Sequence, residues 1–306
     1  MIWPDNKTFA FTVFDDTDFA TLSSVRPVYE MLEDLGFRTT KSVWPVDGLG
    51  EPVNGGTTCN NREYLQWVRQ LSKRGFEIGY HMATFSSSYR QKTIEALERF
   101  AELFGEYPQT MANHSACLEN IYWGDKRLTG SRRLIYNLVT RFRFRNRYRG
   151  HVEGDPYFWG DHCRNKVKYV RNFVFPDINT LKACPIMPYH NPQKPFVNYW
   201  FASSEGPNVN SFNATLSEAN QDRLEAEGGA CIMYTHFGAG FVSDGTVSDR
   251  FATLMKRLSQ KNGWFVPSNV LLDYLLSRRE HHDITNRERR RLEGSWLRHK
   301  LRVGTT

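Results

Sequence analysis

Four runs of strand-forming residues each lead directly into side chains that can bind a metal or move a proton. TFAFTVF (8–14) precedes Asp15 and Asp16, FEIGY (76–80) precedes His81, TMAN (110–113) precedes His114, and ACIMYT (230–235) precedes His236. Ligand sites of parallel α/β folds lie at the carboxyl ends of the strands, so a closed sheet aims all four positions into one space. Adjacent carboxylates at one turn can divide labour, one binding a divalent cation while the other accepts a proton. Two imidazoles and one carboxylate form an open site of the zinc type. A further histidine across the pocket can serve as general acid toward a leaving amine. Singly, each member has a plainer explanation: an Asp pair caps a helix, Asp18 does so equally well, and a lone His packs in a core. Together, four such strand ends point to metal-assisted hydrolysis of an amide or ester.

The elements needed to position these groups are legible. Thr21–Leu35 has apolar residues at helical spacing and stops at Gly36, and 37–43 returns to strand character. The glycine- and proline-rich stretch 45–58 reads as a loop. Glu63–Arg74 and Ser88–Phe104 predict helices closed by Gly75 and Gly105, and Leu216–Glu227 and Asp249–Leu258 predict two more. Trp264–Val266 reads as a last short strand, followed by helix over Val270–Leu276. Alternating strands and helices predict a parallel α/β architecture. The middle third, about 115–215, is irregular and aromatic; it is expected to cover the mouth of the sheet as an insertion.

The chain has 306 residues, with 40% hydrophobic and 14% aromatic content and a formal charge of +7. That length buries a sizeable core without disulfides. The charge is concentrated: 126–149 carries net +9 and 278–302 net +5, so the remainder is acidic. A uniformly basic nucleic-acid-binding body is disfavoured. No apolar run approaches the roughly 20 residues a membrane-spanning helix needs. The N-terminal residues show no secretory signal pattern, and the five scattered cysteines form no CxxC pair, which together predict reduced thiols and a cytoplasmic location.

The order of these residues resembles the polysaccharide deacetylases of the NodB-homology superfamily (carbohydrate esterase family 4). FTVFDDTD (Phe11–Asp18) is similar to that family's first motif, FEIGYH to the strand and first histidine of its second, IMYTHFG to its late Leu-His motif, and NGWFVPSNVLLDYL (Asn262–Leu275) to its closing strand and helix. The resemblance implies a distorted (β/α) barrel over 1–277, Asp15 as base, Asp16 and His81 as metal ligands and His236 as general acid. Two departures stand out. Phe85 occupies the position of the family's second metal-binding His, and NHSACLENIYWG replaces its Arg-containing third motif. Adjacent barrel strands lie about 5 Å apart, so His114 is expected to supply the missing imidazole and complete an Asp16, His81, His114 set for a divalent ion, zinc being expected.

Further expectations attach to less regular segments. In YRGHVEGDPYFWGDHC (148–163), Asp155, Tyr157, Trp159 and Asp161 are candidates to line a sugar pocket, with Arg171 beyond them. TRFRFRNRYR (140–149) alternates with period two and, as a strand, would present an arginine face to a phosphate-linked sugar or anionic phospholipid. The 278–306 tail reads as a basic amphipathic helix suited to an anionic membrane, a partner or solvent. The expected substrate is a nucleotide- or lipid-linked sugar of surface polysaccharide biosynthesis; the alternative of another class is a non-catalytic carbohydrate-binding or scaffold protein.

Overall fold

The computed structural model describes residues 3–279 and 281–304. Met1, Ile2, Glu280, Thr305 and Thr306 lie outside them, so the ends of the predicted tail are only partly covered. The first half of the chain alternates strand and helix: β1 (Phe9–Asp15), α1 (Leu22–Asp34), β2 (Thr40–Val43), α2 (Arg62–Lys73), β3 (Glu77–Tyr80), α3 (Arg90–Phe104) and β4 (Thr110–Met111). Then follow α4 (Gly130–Val139), α5 (Gly160–Lys166), β5 (Tyr169–Phe175), α6 (Thr180–Ala183) and β6 (Tyr199–Glu205). The last part holds α7 (Val209–Thr215), α8 (Glu218–Ala226), β7 (Ala230–Thr235), the hairpin β8 (Val242–Ser243) and β9 (Thr246–Val247), α9 (Asp249–Ser259), β10 (Gly263–Phe265), α10 (Ser268–Ser277) and α11 (Asn286–Val303).

Strands β1 to β7 pair in parallel, in chain order, and β7 returns to β1 along Ala10–Asp15 and Ala230–Thr235, which closes the barrel. β10 adds a further parallel strand beside Phe9–Phe11, the half of β1 that β2 leaves unpaired. Every residue of β1 is buried, as a strand enclosed on both faces requires. Outside, α1 buries Val25, Val28, Tyr29 and Leu32, and α2 buries Tyr64, Trp67, Val68 and Leu71, each set at helical spacing. α1 starts on a Thr21 and Ser24 capping box, α2 on Asn61, and α3 ends at Gly105 in the left-handed conformation.

Three expectations change. The middle third supplies strands β5 and β6, so it is a wall of the barrel and not an insertion over it. Residues 140–149 form turns instead of a strand, because Phe142 N–H returns to the Asn137 carbonyl (2.7 Å) and Arg141, Phe142 and Asn146 take positive φ. The tail helix α11 lies on the barrel: Trp296 is fully buried, with ring centroids 5.7 Å from Phe173 of β5 and 5.8 Å from Tyr136 of α4. All five cysteines are buried and free.

Candidate metal centre and cavity

The carboxyl ends of the strands open into a cavity of about 350 Å³ lined by Asp16, Asp18, His81, His114, Arg171 and His236 among others. At the end of β1 the chain remains tied to the sheet through Asp16 N–H, which donates to the Thr235 carbonyl (2.8 Å). His81 follows β3 directly, and its own N–H donates to the Val43 carbonyl (3.1 Å). His114 stands on a loop pinned by the Asn113 side chain, which bonds both the N–H and the carbonyl of Ile121. Backbone hydrogen bonds to the neighbouring strands therefore fix Asp16 and His81, and a side-chain clamp fixes the His114 loop.

Those contacts assign the acidic cluster differently from the sequence expectation. Asp18 faces both imidazoles, with His81 Nε2 at 2.9 Å and His114 Nε2 at 2.8 Å. Asp18, His81 and His114 place one potential ligand atom each within 4.8 Å of one another, and all three are buried. Burial alone would raise the Asp18 pKa, but the hydrogen bonds and charge from His114 and His81 hold it well below the ordinary carboxylate value. Asp16, expected in that set, is instead bound by both terminal nitrogens of Arg171, one at 2.9 Å, and lies 3.9 Å from His81 Nε2. Asp15, expected as the base, does not line the cavity. Its oxygens accept from Phe237 N–H (2.8 Å) and Tyr29 Oη (3.0 Å), and Lys41 Nζ lies 2.8 Å away, fully buried.

The donor chemistry of the Asp18 set fits a divalent ion. His81 Nδ1 lies 3.2 Å from the Ala112 carbonyl, which orients the ring and leaves Nε2 toward Asp18. Trp44 backs both imidazoles, at 6.3 Å from His81 and 5.6 Å from His114. Phe85 packs edge-on against the same indole at 5.5 Å, so the place of the family's second histidine serves packing here. His236 stands beside the cluster, with Nε2 3.7 Å from Asp18 Oδ2 and Nδ1 2.8 Å from the Pro207 carbonyl.

Of the five side chains expected to line a sugar pocket, only Arg171 does so. Asp155 accepts from Arg149 and from Tyr157 N–H, and Tyr157 stacks on Tyr89 at 4.9 Å. Trp159 is fully buried and donates to the Glu119 carbonyl, while Asp161 holds Arg90 bidentately. This segment is an aromatic and ionic anchor for the loop. Sequence reasoning also missed Arg127, Trp123, Glu205, Trp296 and Lys300, which line the cavity. Their only signal was the concentration of basic and aromatic residues in the two segments that supply most of them.

No family model matches the sequence, and no curated protein matches it either. Solved structures do. A candidate polysaccharide deacetylase from Mycobacterium smegmatis superposes with a TM-score of 0.50 at 12% identity, over 94% of this chain and 96% of that one. A second candidate polysaccharide deacetylase, from Pseudomonas aeruginosa PAO1, gives 0.49 at 12% identity over 89% and 92%. The PuuE allantoinase gives 0.48 at 13% over 90% and 92%. The first of these likenesses establishes the fold: the chain has the distorted (β/α) barrel of the polysaccharide deacetylase type.

Proposed function

We propose that this protein is a metal-dependent hydrolase that removes an N-acetyl or other small acyl group from a carbohydrate. The observation that carries the reading is the convergence of Asp18, His81 and His114 beside a second carboxylate, Asp16, and a further imidazole, His236, in one cavity at the strand ends. Asp18, His81 and His114 would hold a divalent cation, zinc being the best match to one oxygen and two nitrogens. Such an ion, when bound, polarises the acyl carbonyl and makes a water more acidic.

The remaining work falls to side chains. Arg171 orients the Asp16 carboxylate through both of its terminal nitrogens, and Asp16 takes a proton from the attacking water. His236 Nδ1 is committed to the Pro207 carbonyl, so Nε2 is the atom that faces the cavity and protonates the departing amine. Acid and amine are the products. Arg171 is itself placed by two aromatic faces, Tyr234 at 4.5 Å and Phe14 at 5.1 Å.

The substrate we favour is a sugar linked through phosphate to a nucleotide or lipid carrier, a precursor of surface polysaccharide handled at the cytoplasmic face of a membrane. Five buried free thiols are consistent with a reducing compartment. For the membrane surface, the support is a groove between α4 and α11 lined by Arg132, Arg287, Arg290, Arg291 and Arg298 together with Ile135, Leu297 and Leu301.

Elemental analysis combined with acetate release from a panel of N-acetyl sugars tests the reading. The purified protein should hold about one equivalent of metal. Asp18→Asn and His114→Ala should lose it, whereas Asp16→Asn should keep it and lose about 10²- to 10⁴-fold in activity. Full metal content in Asp18→Asn would refute the ligand assignment. Metal-free wild-type protein with no acetate release would leave a carbohydrate-binding protein that does no chemistry.

A further inference from the structure

We infer that Arg127 is an oxyanion-binding residue of this cavity, and that the carbohydrate it admits carries a phosphate or carboxylate group. The inference rests on the proposed function only for the ligand being a carbohydrate; the demand for negative charge comes from the cavity itself.

Arg127 ends a short 3-10 turn, Gly124–Arg127, and lines the cavity while being only 4% exposed. Its guanidinium carbon lies 3.0 Å from the Trp123 ring centroid and 5.0 Å from that of Trp296. Two indoles thus attend the planar group, which leaves its edge to meet a ligand. Its Nε has no hydrogen-bond partner, and among the described residues no carboxylate or carbonyl accepts from its terminal nitrogens.

The other charges of the cavity wall are already matched. Asp16 is taken by Arg171, Glu205 by Lys300 (2.9 Å) and His299, and Asp18 by the histidines. Lys194, itself buried, directs Nζ to the Arg127 carbonyl (3.3 Å) and offers the guanidinium no acceptor. Among the described residues Arg127 is therefore the surplus cation of this wall. Burial pushes its pKa down to about 9, which still leaves it charged at neutral pH. A buried charge without a counter-charge is costly, and a bidentate oxyanion removes that cost with the two-point geometry a guanidinium fork offers. A neutral polysaccharide would leave it unmatched.

Calorimetric binding to the metal-loaded protein distinguishes these cases. The probes are N-acetylglucosamine 1-phosphate, N-acetylmuramic acid and neutral N-acetylglucosamine, each at low and high salt. At least one anionic sugar should bind about 10- to 100-fold more tightly than the neutral one, with the advantage shrinking in high salt. Whichever anionic sugar wins separates a phosphate-linked from a carboxylate-bearing substrate. Arg127→Gln should erase the advantage and Arg127→Lys should restore part of it. If Arg127→Gln does not fold, the Arg127→Lys loss and the wild-type salt dependence decide. Equal affinity for all three sugars, no binding of any, or an anion preference indifferent to the Arg127 variants would overturn the inference. Acetate release read on the same samples keeps the two proposals apart. An Arg127-dependent preference without acetate release sinks only the hydrolase, and release from the neutral sugar with no anion preference sinks only this subsite.

Discussion

Asp15, Asp16 and Asp18 span four positions and occupy three environments: an internal ion pair, an arginine fork and a pair of imidazoles. That chemistry gathers where β1 ends was legible from residue order. The division of labour was not, because it depends on partners far along the chain. Arg171 lies 155 residues from Asp16, and Lys41, in a strand reading TKSV, carries no mark of burial. Helix capping is the plainer role open to Asp18 in the sequence, but Thr21 takes it and leaves Asp18 to the histidines. Burial works against the Lys41 charge, and the Asp15 carboxylate overcomes it, holding the ammonium above its usual pKa. Asp15→Asn should therefore destabilise the protein by about 3–5 kcal/mol by leaving a buried ammonium unpaired. Adding Lys41→Met should recover much of the loss, as urea denaturation would show. A single variant of wild-type stability but no activity would instead place Asp15 in the chemistry.

Among the elements, α11 departs furthest from its sequence reading. Its basic, amphipathic pattern is real, but the apolar stripe of Leu292, Trp296 and Leu297 packs on its own barrel. Hydrophobic periodicity identifies a face that wants cover and is silent on which surface covers it. Trp296→Ala should cost about 3–5 kcal/mol and widen the cavity, so denaturation midpoint and sugar affinity should fall together. β6 was missed because YWFASSE breaks the apolar run, and 140–149 was over-read because alternating arginines have no neighbouring strand to pair with. At the opposite end of the barrel, Glu77 opens β3 and accepts from Thr40, Thr110 and the Asn269 N–H, so it ties β2, β4 and α10 together. Burial raises its pKa from 4.5 to about 7. A group raised in the folded state gives stability that is complete below its unfolded pKa and is lost as pH climbs through the folded one. Glu77→Gln should accordingly gain on the wild type between about pH 5 and pH 8, by up to about 2–3 kcal/mol at the upper end. Parallel stability curves over that range would rule this out.

For the molecule as a whole, where the charge sits says more than its sum, because the +7 is concentrated in two basic segments. Arg132 of α4 faces Arg287, Arg290, Arg291 and Arg298 of α11 across one groove, and Leu134, Leu138 and Phe142 of the neighbouring segment stand exposed, Arg145 lying over the Phe142 ring at 5.7 Å. Exposed apolar side chains in a segment rich in arginine are the combination that an anionic bilayer interface would take. Vesicles containing phosphatidylglycerol should co-sediment with the protein, pure phosphatidylcholine should not, and a Leu134→Glu, Leu138→Glu double variant should stay in the supernatant. Equal partitioning of that variant would exclude this face.

The cavity also has a history written in chain order. Asp18, His81 and His114 all belong to the first four strands and their loops, while the Asp16 partner Arg171 comes from β5, His236 follows β7, and the Trp296 wall comes last of all. During synthesis the three proposed ligands emerge before Arg171, His236 and Trp296. The three side chains thus wait in the nascent chain for β7 to pair with β1 and close the barrel, and the cavity wall is finished only when the final helix docks.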